Sequence, residues 1–130
     1  MADFAGHWRI TRDIQHDGGA TAQFEGDATW TPQGEDMLYQ EEGHLRIEGA
    51  APLFATRSYL WKSDLSVWFS DGRFFHQVPA HGGKVHHDCP PDDYRGTYDF
   101  SNWPSFVTRW QVTGPRKSYR MTTTYTRTIT

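Results

Sequence analysis

The sequence lacks the features that define several broad classes of protein. Its 130 residues include a single cysteine, Cys89, so no disulfide bond can form within the chain, and this favours a reducing compartment. No apolar run approaches the roughly 20 residues that a membrane-spanning helix needs. The first residues, Met-Ala-Asp-Phe, carry an acid where a signal peptide carries bases. We therefore expect a cytoplasmic protein without a membrane span.

The chain also lacks the positive charge that is typical of nucleic-acid-binding proteins. Its net charge is −3 and its pI is about 6.1, so electrostatics gives no case for a nucleic-acid partner. The charge is uneven, because residues 1–56 hold ten acids and three bases whereas residues 105–130 hold five bases and no acid. In a barrel whose first and last strands are neighbours, this asymmetry would help them to pair. The alternative is a basic binding surface.

Helical periodicity is missing as well, and strand signals take its place. Alternation of apolar and polar residues runs through most of the chain. Aromatic residues reach 15%, which favours strands and supplies a core despite a mean hydropathy of −0.76. Glycine-bearing turns such as Asp71-Gly72 and Gly82-Gly83 recur at hairpin spacing. The sequence thus predicts one domain over residues 1–130, an all-β, antiparallel, up-and-down closed barrel of about ten strands.

Two consecutive turns predict which side chains face the barrel interior in the middle of the chain. Residues paired across a hairpin share a face, so a two-residue turn at Asp71-Gly72 pairs Val67 with His76. A similar turn at Gly82-Gly83 places His76 opposite Cys89 and leaves Phe75 and His86 outside. The predicted inward set is Leu65, Val67, Phe69, Phe74, His76, Val78, Val85, His87 and Cys89.

For the remaining strands, the sequence predicts which side chains face inward more clearly in some strands than in others. Alternation and a turn at residues 114–117 predict the inward residues Trp8, Ile10, Arg12, Ile14, Phe24, Gly26, Ala28 and Trp30, and Phe106, Thr108, Trp110 and Val112 opposite Tyr125, Thr123, Met121 and Tyr119. The two faces of residues 38–47 are nearly equal, and we take the one with Tyr39 and Glu41 as inward. A three-residue turn after Trp61 brings Arg57 and Tyr59 inside, whereas a two-residue turn puts them outside.

The N-terminal segment carries a short motif, Gly6-His7-Trp8, ahead of the strand-like segments. A Gly-x-Trp motif near the start of an all-β chain, with an arginine late in the last strand, resembles the signature of lipocalins and related calycins. The resemblance implies that Trp8 closes one end of the barrel and that Arg127 packs across its indole. A guanidinium over an indole face contributes about 1–2 kcal/mol when it is desolvated.

A second resemblance covers nearly the whole chain. Its stretches are Trp8-Arg9-Ile10-Thr11-Arg12, Tyr39-Gln40-Glu41-Glu42-Gly43, Arg57-Ser58-Tyr59-Leu60-Trp61, Asp71-Gly72-Arg73-Phe74-Phe75-His76, His87-Asp88-Cys89 with Asp92 and Tyr94, and Trp110-Gln111-Val112-Thr113-Gly114-Pro115 with Lys117, Tyr119 and Arg127. These stretches are similar to a small, uncharacterised family of calycin-like bacterial and fungal proteins. The resemblance implies a fold and no activity.

Charged residues on the predicted inward face need partners. Arg12 and Glu41 face the interior, and Arg57 joins them if its strand turns inward. An unpaired charge there would be expensive, so these groups pair, hydrate or meet a ligand. One hypothesis is an Arg12–Glu41–Arg57 salt-bridge network that fixes strand register. The other is a cavity whose arginines hold a ligand carboxylate or phosphate.

His76, His87 and Cys89 form a second candidate cluster on the predicted inward face. If the turn at Gly82-Gly83 has two residues, the three side chains lie within reach of each other and match a His₂Cys zinc set. The same groups could place a catalytic thiolate beside an imidazole, or one histidine could bind haem. The alternatives are ligand contact and a structural role, since buried cysteine and histidine commonly have no other function.

The interior therefore predicts a small-molecule-binding barrel for an anionic, partly apolar ligand. The predicted ligand-binding residues are Arg12, Glu41, Arg57, Tyr59, His76, His87, Cys89, Trp110 and Tyr125, with Gly6, Trp8 and Arg127 at the barrel closure. One alternative is a cavity enzyme, an isomerase, cyclase or hydrolase, that uses Glu41 or His76 in acid–base chemistry. The other is an accessory or interaction domain with a sealed interior. The sequence predicts no particular cofactor and no oligomeric state.

Overall fold

The computed structural model describes residues 2–128 and folds them into one antiparallel sheet of ten strands. The strands are β1 (Gly6–His16), β2 (Thr21–Gln33), β3 (Asp36–Ile47), β4 (Leu53–Trp61), β5 (Ser66–Phe69), β6 (Phe74–Gln77), β7 (Gly83–Cys89), β8 (Asp92–Asp99), β9 (Phe106–Thr113) and β10 (Ser118–Arg127). A single 3-10 turn at Ala2–Phe4 precedes them. No helix among these residues is long and apolar enough to span a membrane.

The sheet rolls into a nearly closed barrel, which confirms the predicted fold class. Its strand order is β6-β5-β4-β3-β2-β1-β10-β9-β8-β7, so neighbours in sequence pair and β1 also pairs with β10. That ladder runs from Trp8 opposite Arg127 to His16 opposite Tyr119. No ion pair within residues 2–128 joins the two strands, so the charge asymmetry does not act through direct pairs there.

Most of the predicted inward faces are confirmed. The β9–β10 hairpin pairs Trp110 with Met121 and Phe106 with Tyr125, as the turn at residues 114–117 predicts. Alternate residues of β1 and β2 are buried, including Arg12. In β3 the face with Tyr39 and Glu41 is the buried one.

The prediction for β6 is wrong next to the Asp71-Gly72 turn, where Phe69 was to pair with Phe74, and holds farther from it. Val67 does pair with His76, but Trp68 then pairs with Phe74, because Phe75 is an extra residue that forms a β-bulge. The bulge breaks the alternation, so Phe75 and His76 are both buried although they are adjacent in sequence. Phe74, which was expected inside, is exposed.

The predicted hairpin between β6 and β7 does not form. The chain turns at Pro79, whose carbonyl accepts a hydrogen bond from the Gly82 amide at 3.0 Å, and β6 and β7 then lie at the two edges of the sheet. We refer to the gap between these edges as the seam. Since no ladder joins the two strands, His76 does not lie opposite Cys89.

One end of the barrel is closed by packed aromatic rings, which we call the aromatic plug: Phe4, Trp8, Trp30, Trp103 and Phe106. The Trp8 ring centroid lies 5.7 Å from that of Trp30 and 5.2 Å from that of Phe106, and Trp8 is completely buried. Its indole N–H donates to the Phe4 carbonyl at 2.9 Å. Each such ring pair contributes about 0.5–1.5 kcal/mol beyond its buried area.

Arg127 covers the outer side of the plug. Its guanidinium carbon lies 4.3 Å from the Trp8 ring centroid, and its Nη1 donates to the Ala5 carbonyl at 2.9 Å. Gly6 lies beneath it with φ of +118°, and a Cβ at this position would lie 3.5 Å from Nη1. Because L side chains rarely adopt that φ, the turn into β1 favours glycine.

Candidate ligand-binding cavity

A cavity of about 210 Å³ occupies the barrel interior beyond the aromatic plug. Its lining residues are Arg12, Tyr39, Glu41, Arg57, Tyr59, Trp61, Val67, Phe69, Phe75, His76, Tyr94, Tyr98, Thr108, Trp110, Tyr119, Met121, Thr123 and Tyr125. All six tyrosines of the protein are among them. The strands therefore bring every tyrosine of the sequence to the wall of one cavity.

An ion pair between Arg12 and Glu41 lies in the wall of the cavity. The two Nη atoms of Arg12 donate to the two carboxylate oxygens of Glu41, at 3.0 and 2.6 Å. Nε of Arg12 donates to the Thr123 hydroxyl at 2.8 Å. This two-pronged geometry is the strongest form of an arginine–carboxylate pair. Both side chains are buried, so each charge depends on the other for compensation.

Tyrosine hydroxyls complete the hydrogen bonding of this pair. Tyr39 donates to Glu41, and its hydroxyl lies 3.0 Å from that of Tyr125. The network thus links β1, β3 and β10 across the barrel. It combines the Arg12–Glu41 pair, which one hypothesis expected, with tyrosines that line the cavity.

The ion pair controls the protonation of its members. Burial on its own would raise the pKa of Glu41, but the attraction of Arg12 and the hydrogen bonds from Arg12 and Tyr39 outweigh it and hold that pKa below its usual range. Burial would likewise lower the pKa of Arg12, and Glu41 reverses the direction. Burial raises the pKa of Tyr125 to about 12. At neutral pH the pair is therefore charged and the tyrosine is neutral.

Arg57 lies beside this network but is not part of the ion pair. It is opposite Glu41 in the β3–β4 ladder and lines the cavity, but it is exposed, so its side chain lies where the cavity opens to solvent. Within residues 2–128, no carboxylate oxygen lies within 4 Å of its guanidinium. Of the hypothesised Arg12–Glu41–Arg57 salt-bridge network, only the Arg12–Glu41 pair is therefore present among these residues. Arg57 remains as an exposed cation that has no carboxylate partner among them and lies beside Tyr59.

A stack of three rings forms another part of the lining. The Phe75 ring lies between Phe69, at 4.6 Å and 20°, and Trp110, at 5.2 Å and 25°. Gly96 makes room for Trp110, because a Cβ at Gly96 would lie 2.7 Å from the indole ring. The far side of Phe69 is covered by the Arg73 guanidinium, 5.3 Å from the ring centroid. The stack is thus covered at both ends.

His76 is the buried imidazole of the cavity, with only 3% of its surface exposed. Its Nε2 lies 2.8 Å from the Tyr98 hydroxyl, whereas its Nδ1 has no hydrogen-bond partner in the described part of the chain. Burial, with a smaller contribution from His87, lowers the pKa of His76 to about 3. The ring is neutral at physiological pH and leaves one nitrogen unsatisfied.

Two of the predicted ligand-binding residues do not line the cavity. His87 lies near it, with its ring 5.3 Å from Phe75 and 5.7 Å from Tyr94, and Cys89 is partly buried at the end of β7. Over residues 2–128, no group of three histidine, cysteine or acidic side chains is arranged to hold a metal ion. The hypothesised His₂Cys set depended on the β6–β7 hairpin, which the seam replaces. The cavity volume is also too small for a haem macrocycle.

Several lining residues had not been singled out from the sequence. Tyr39 and Tyr119 were on predicted inward faces without an assigned role, and Phe75 was hidden by the bulge. Tyr94 and Tyr98 lie on β8, for which we had assigned no face. A two-residue turn at Pro90-Pro91 would have paired His87 with Tyr94, as the structure does, and would have brought Tyr94 inside.

Comparison with known proteins gives a fold and a family. No curated protein matches the chain. A solved structure of an S-type phycobiliprotein lyase from Guillardia theta is similar to it, with a TM-score of 0.66, 10% identity, and coverage of 98% of this chain and 90% of the lyase. That similarity shows the fold, an antiparallel β-barrel. A family model matches residues 4–127, so the chain belongs to the family of unknown function DUF6314.

Proposed function

We propose that this barrel binds a small, anionic and partly apolar molecule in its cavity. The observation that carries the proposal is Arg57, which lines an aromatic cavity without a carboxylate within 4 Å among residues 2–128. The hypothesis from the sequence assigned the anionic group of the ligand to Arg12 as well as to Arg57. Arg12 is already neutralised by Glu41, so we assign the anion contact to Arg57.

The size of the cavity supports a small ligand. Pockets for drug-sized molecules measure about 300–1,000 Å³, whereas an apolar cavity of about 150 Å³ binds benzene. The cavity of about 210 Å³ lies between these limits. Similarity to a phycobiliprotein lyase is compatible with a barrel that handles a small molecule, but at 10% identity it supports the fold and only by analogy the function.

The enzyme alternative has weaker support. Glu41 is ionised and fully engaged by Arg12 and Tyr39, so it has no proton to give at neutral pH. His76, with a pKa of about 3, is a weak base there. The accessory-domain alternative expected a sealed interior, and a cavity lined by an unpaired cation weighs against it.

Native mass spectrometry of the protein purified from its source cells tests the proposal. We expect a non-covalent mass that is present under native conditions and absent after denaturation. A parallel measurement offers benzoate, hexanoate and phenyl phosphate to the emptied protein in ligand-observed NMR. Arg57→Gln should lower the retained fraction, and Arg46→Gln, an exposed arginine on β3, is the matched control. No retained mass and no NMR binding would overturn the proposal.

A further inference from the structure

The charges around the cavity nearly cancel. Arg12 is compensated by Glu41, and Lys117, next to the lining residue Tyr94, is compensated by Asp92 at 3.3 Å. His76 is neutral. Arg57 is the charged lining residue without a carboxylate partner among residues 2–128, and it lies exposed beside Tyr59. The cavity therefore carries one uncompensated positive charge.

One uncompensated guanidinium matches one type of anion better than another. A carboxylate carries a single charge and has the planar, two-oxygen shape that fits the arginine fork. A phosphate monoester carries close to two charges at neutral pH, and the second would have to displace Asp92 from Lys117 or lie unpaired in the barrel. The charge balance favours a monocarboxylate.

The lining also favours a compact ring over an extended chain. The aromatic plug closes one end of the barrel, and about 210 Å³ is close to the volume that holds one aromatic ring or two. Phe75 has a nearly parallel ring on each side, so the edge of its ring is what remains for the cavity. Ring edges carry partial positive charge and attract the electron-rich face of another ring.

We infer that the ligand class is a small aromatic monocarboxylate of one or two rings, with its carboxylate on Arg57 and its ring against the edges of the Phe69–Phe75–Trp110 stack. This inference rests on the proposed function, because it names the ligand of the same cavity. Tyr59 and Tyr119, which also line the cavity, supply hydroxyls near the carboxylate end.

A matched set of ligands separates the two parts of the inference. Benzene and naphthalene rings are each offered to the full-length protein with three head groups: carboxylate, phosphate ester and neutral hydroxymethyl. Octanoate supplies the same carboxylate on a flexible chain. Titration calorimetry at pH 7 gives each dissociation constant. We expect benzoate or 2-naphthoate to bind at least tenfold more tightly than its own phosphate and hydroxymethyl analogues, and more tightly than octanoate.

Each contrary outcome would overturn a different part of the inference. Equal or tighter binding of the phosphate esters would overturn the charge argument. Octanoate within threefold of the aromatic acids would overturn the ring argument. If the aromatic acids, octanoate and the neutral analogues all fail to bind, and no native mass is retained, the proposed function fails with the inference.

Arg57→Gln provides the residue-level test. We expect it to weaken the aromatic carboxylate at least tenfold and to leave the hydroxymethyl analogue within twofold, because only the carboxylate uses the guanidinium. Arg46→Gln should change neither. A thermal unfolding curve for each variant verifies that it is folded. Equal loss for the charged and neutral ligands would show that Arg57 acts by shaping the cavity, and would overturn its assignment to the carboxylate.

Discussion

The two ends of the barrel use aromatic residues in opposite ways. The aromatic plug is made of tryptophan and phenylalanine rings that pack against each other, with Trp8 and Trp30 at 0% and 1% exposure. The cavity is lined by all six tyrosines, together with Trp61, Phe69, Phe75 and Trp110, around a space of about 210 Å³. One end of the barrel is thus filled by aromatic rings, whereas the other keeps a space that every tyrosine of the sequence lines.

The difference has an energetic basis. Burying aromatic rings contributes their apolar area, so the plug stabilises the fold directly, although the buried Trp30 indole N–H has no hydrogen-bond partner among the described residues and offsets part of that gain. A buried ion pair contributes little net stability, because desolvation offsets its attraction. The Arg12–Glu41 pair therefore organises the cavity more than it stabilises the barrel. Substitutions at the two ends should separate stability from binding.

The largest effect is expected in the plug. Trp8→Ala removes a fully buried indole that contacts Trp30, Phe106 and Arg127, and it should lower the free energy of unfolding by about 3–5 kcal/mol in urea titrations. The matched substitution at the cavity is Tyr119→Ala, on a half-buried ring, with a loss below about 1.5 kcal/mol. Similar losses for both would contradict the division of roles. Trp8→Phe gives an intermediate measurement if the alanine variant does not fold.

The second effect concerns the buried pair. Arg12→Met leaves the Glu41 carboxylate without its partner and should cost about 3 kcal/mol of unfolding free energy. Adding Glu41→Gln removes the unpaired charge, so the double variant should recover much of this loss. A double-mutant cycle in urea measures the coupling. Strictly additive losses would show that the two side chains act independently.

The third effect appears in the pH dependence of stability. The folded-state pKa of His76 is about 3 and its ordinary value is 6.5, so below pH 6.5 the unfolded chain gains a proton that the folded chain does not. Stability from neutral His76 is present above pH 6.5 and is lost as the pH falls toward 3. Between pH 6.5 and 4.5 the slope from this group approaches about 1.4 kcal/mol per pH unit.

His76→Phe should flatten that slope, measured by urea unfolding at pH 4.5, 5.5 and 6.5. Glu41, whose pKa is lowered from 4.5, adds a slope of the same sign only near the lower edge of this window, and it does so equally in the wild type and the variant. His87, whose pKa burial also lowers, leaves a smaller residual slope in the same direction. His81→Asn, on an exposed turn, is the control. An unchanged slope in His76→Phe would mean that His76 is protonated in the folded state.

The fold was predictable because its strands obey local rules. Alternation in β1, β2 and β10 and the turn at residues 114–117 fix which side chains are inside, and the β9–β10 register follows from that turn alone. In the structure, Arg12, Glu41, Arg57, Tyr59, His76, Trp110 and Tyr125 all line the cavity. Each lies on a strand whose neighbour in the sheet is also its neighbour in sequence or is the strand at the other chain end.

The wrong predictions come from structural features that residue alternation and turn type do not encode. A bulge at Phe75 has no marker in the sequence, yet it reverses the face of Phe74. The seam is a property of the whole barrel, since the turn at Pro79–Gly82 resembles any hairpin turn but joins strands that do not pair. His87 and Cys89 were placed by that turn. The predicted cluster of His87 and Cys89 with His76 was therefore wrong.

The seam also has a consequence for the order in which the chain can fold. The two edges of the sheet lie in mid-chain, whereas the first and last strands pair inside it, with Arg127 bonded to the carbonyls of Asp3 and Ala5. A circular permutant cut in the turn at Pro79–Gly82, with a linker that joins residue 127 to residue 3, would keep every ladder of residues 2–128. Each strand would then pair only with its neighbours along the new chain. The β1–β10 closure, which now spans most of the sequence, would become a local contact, and lower contact order speeds folding.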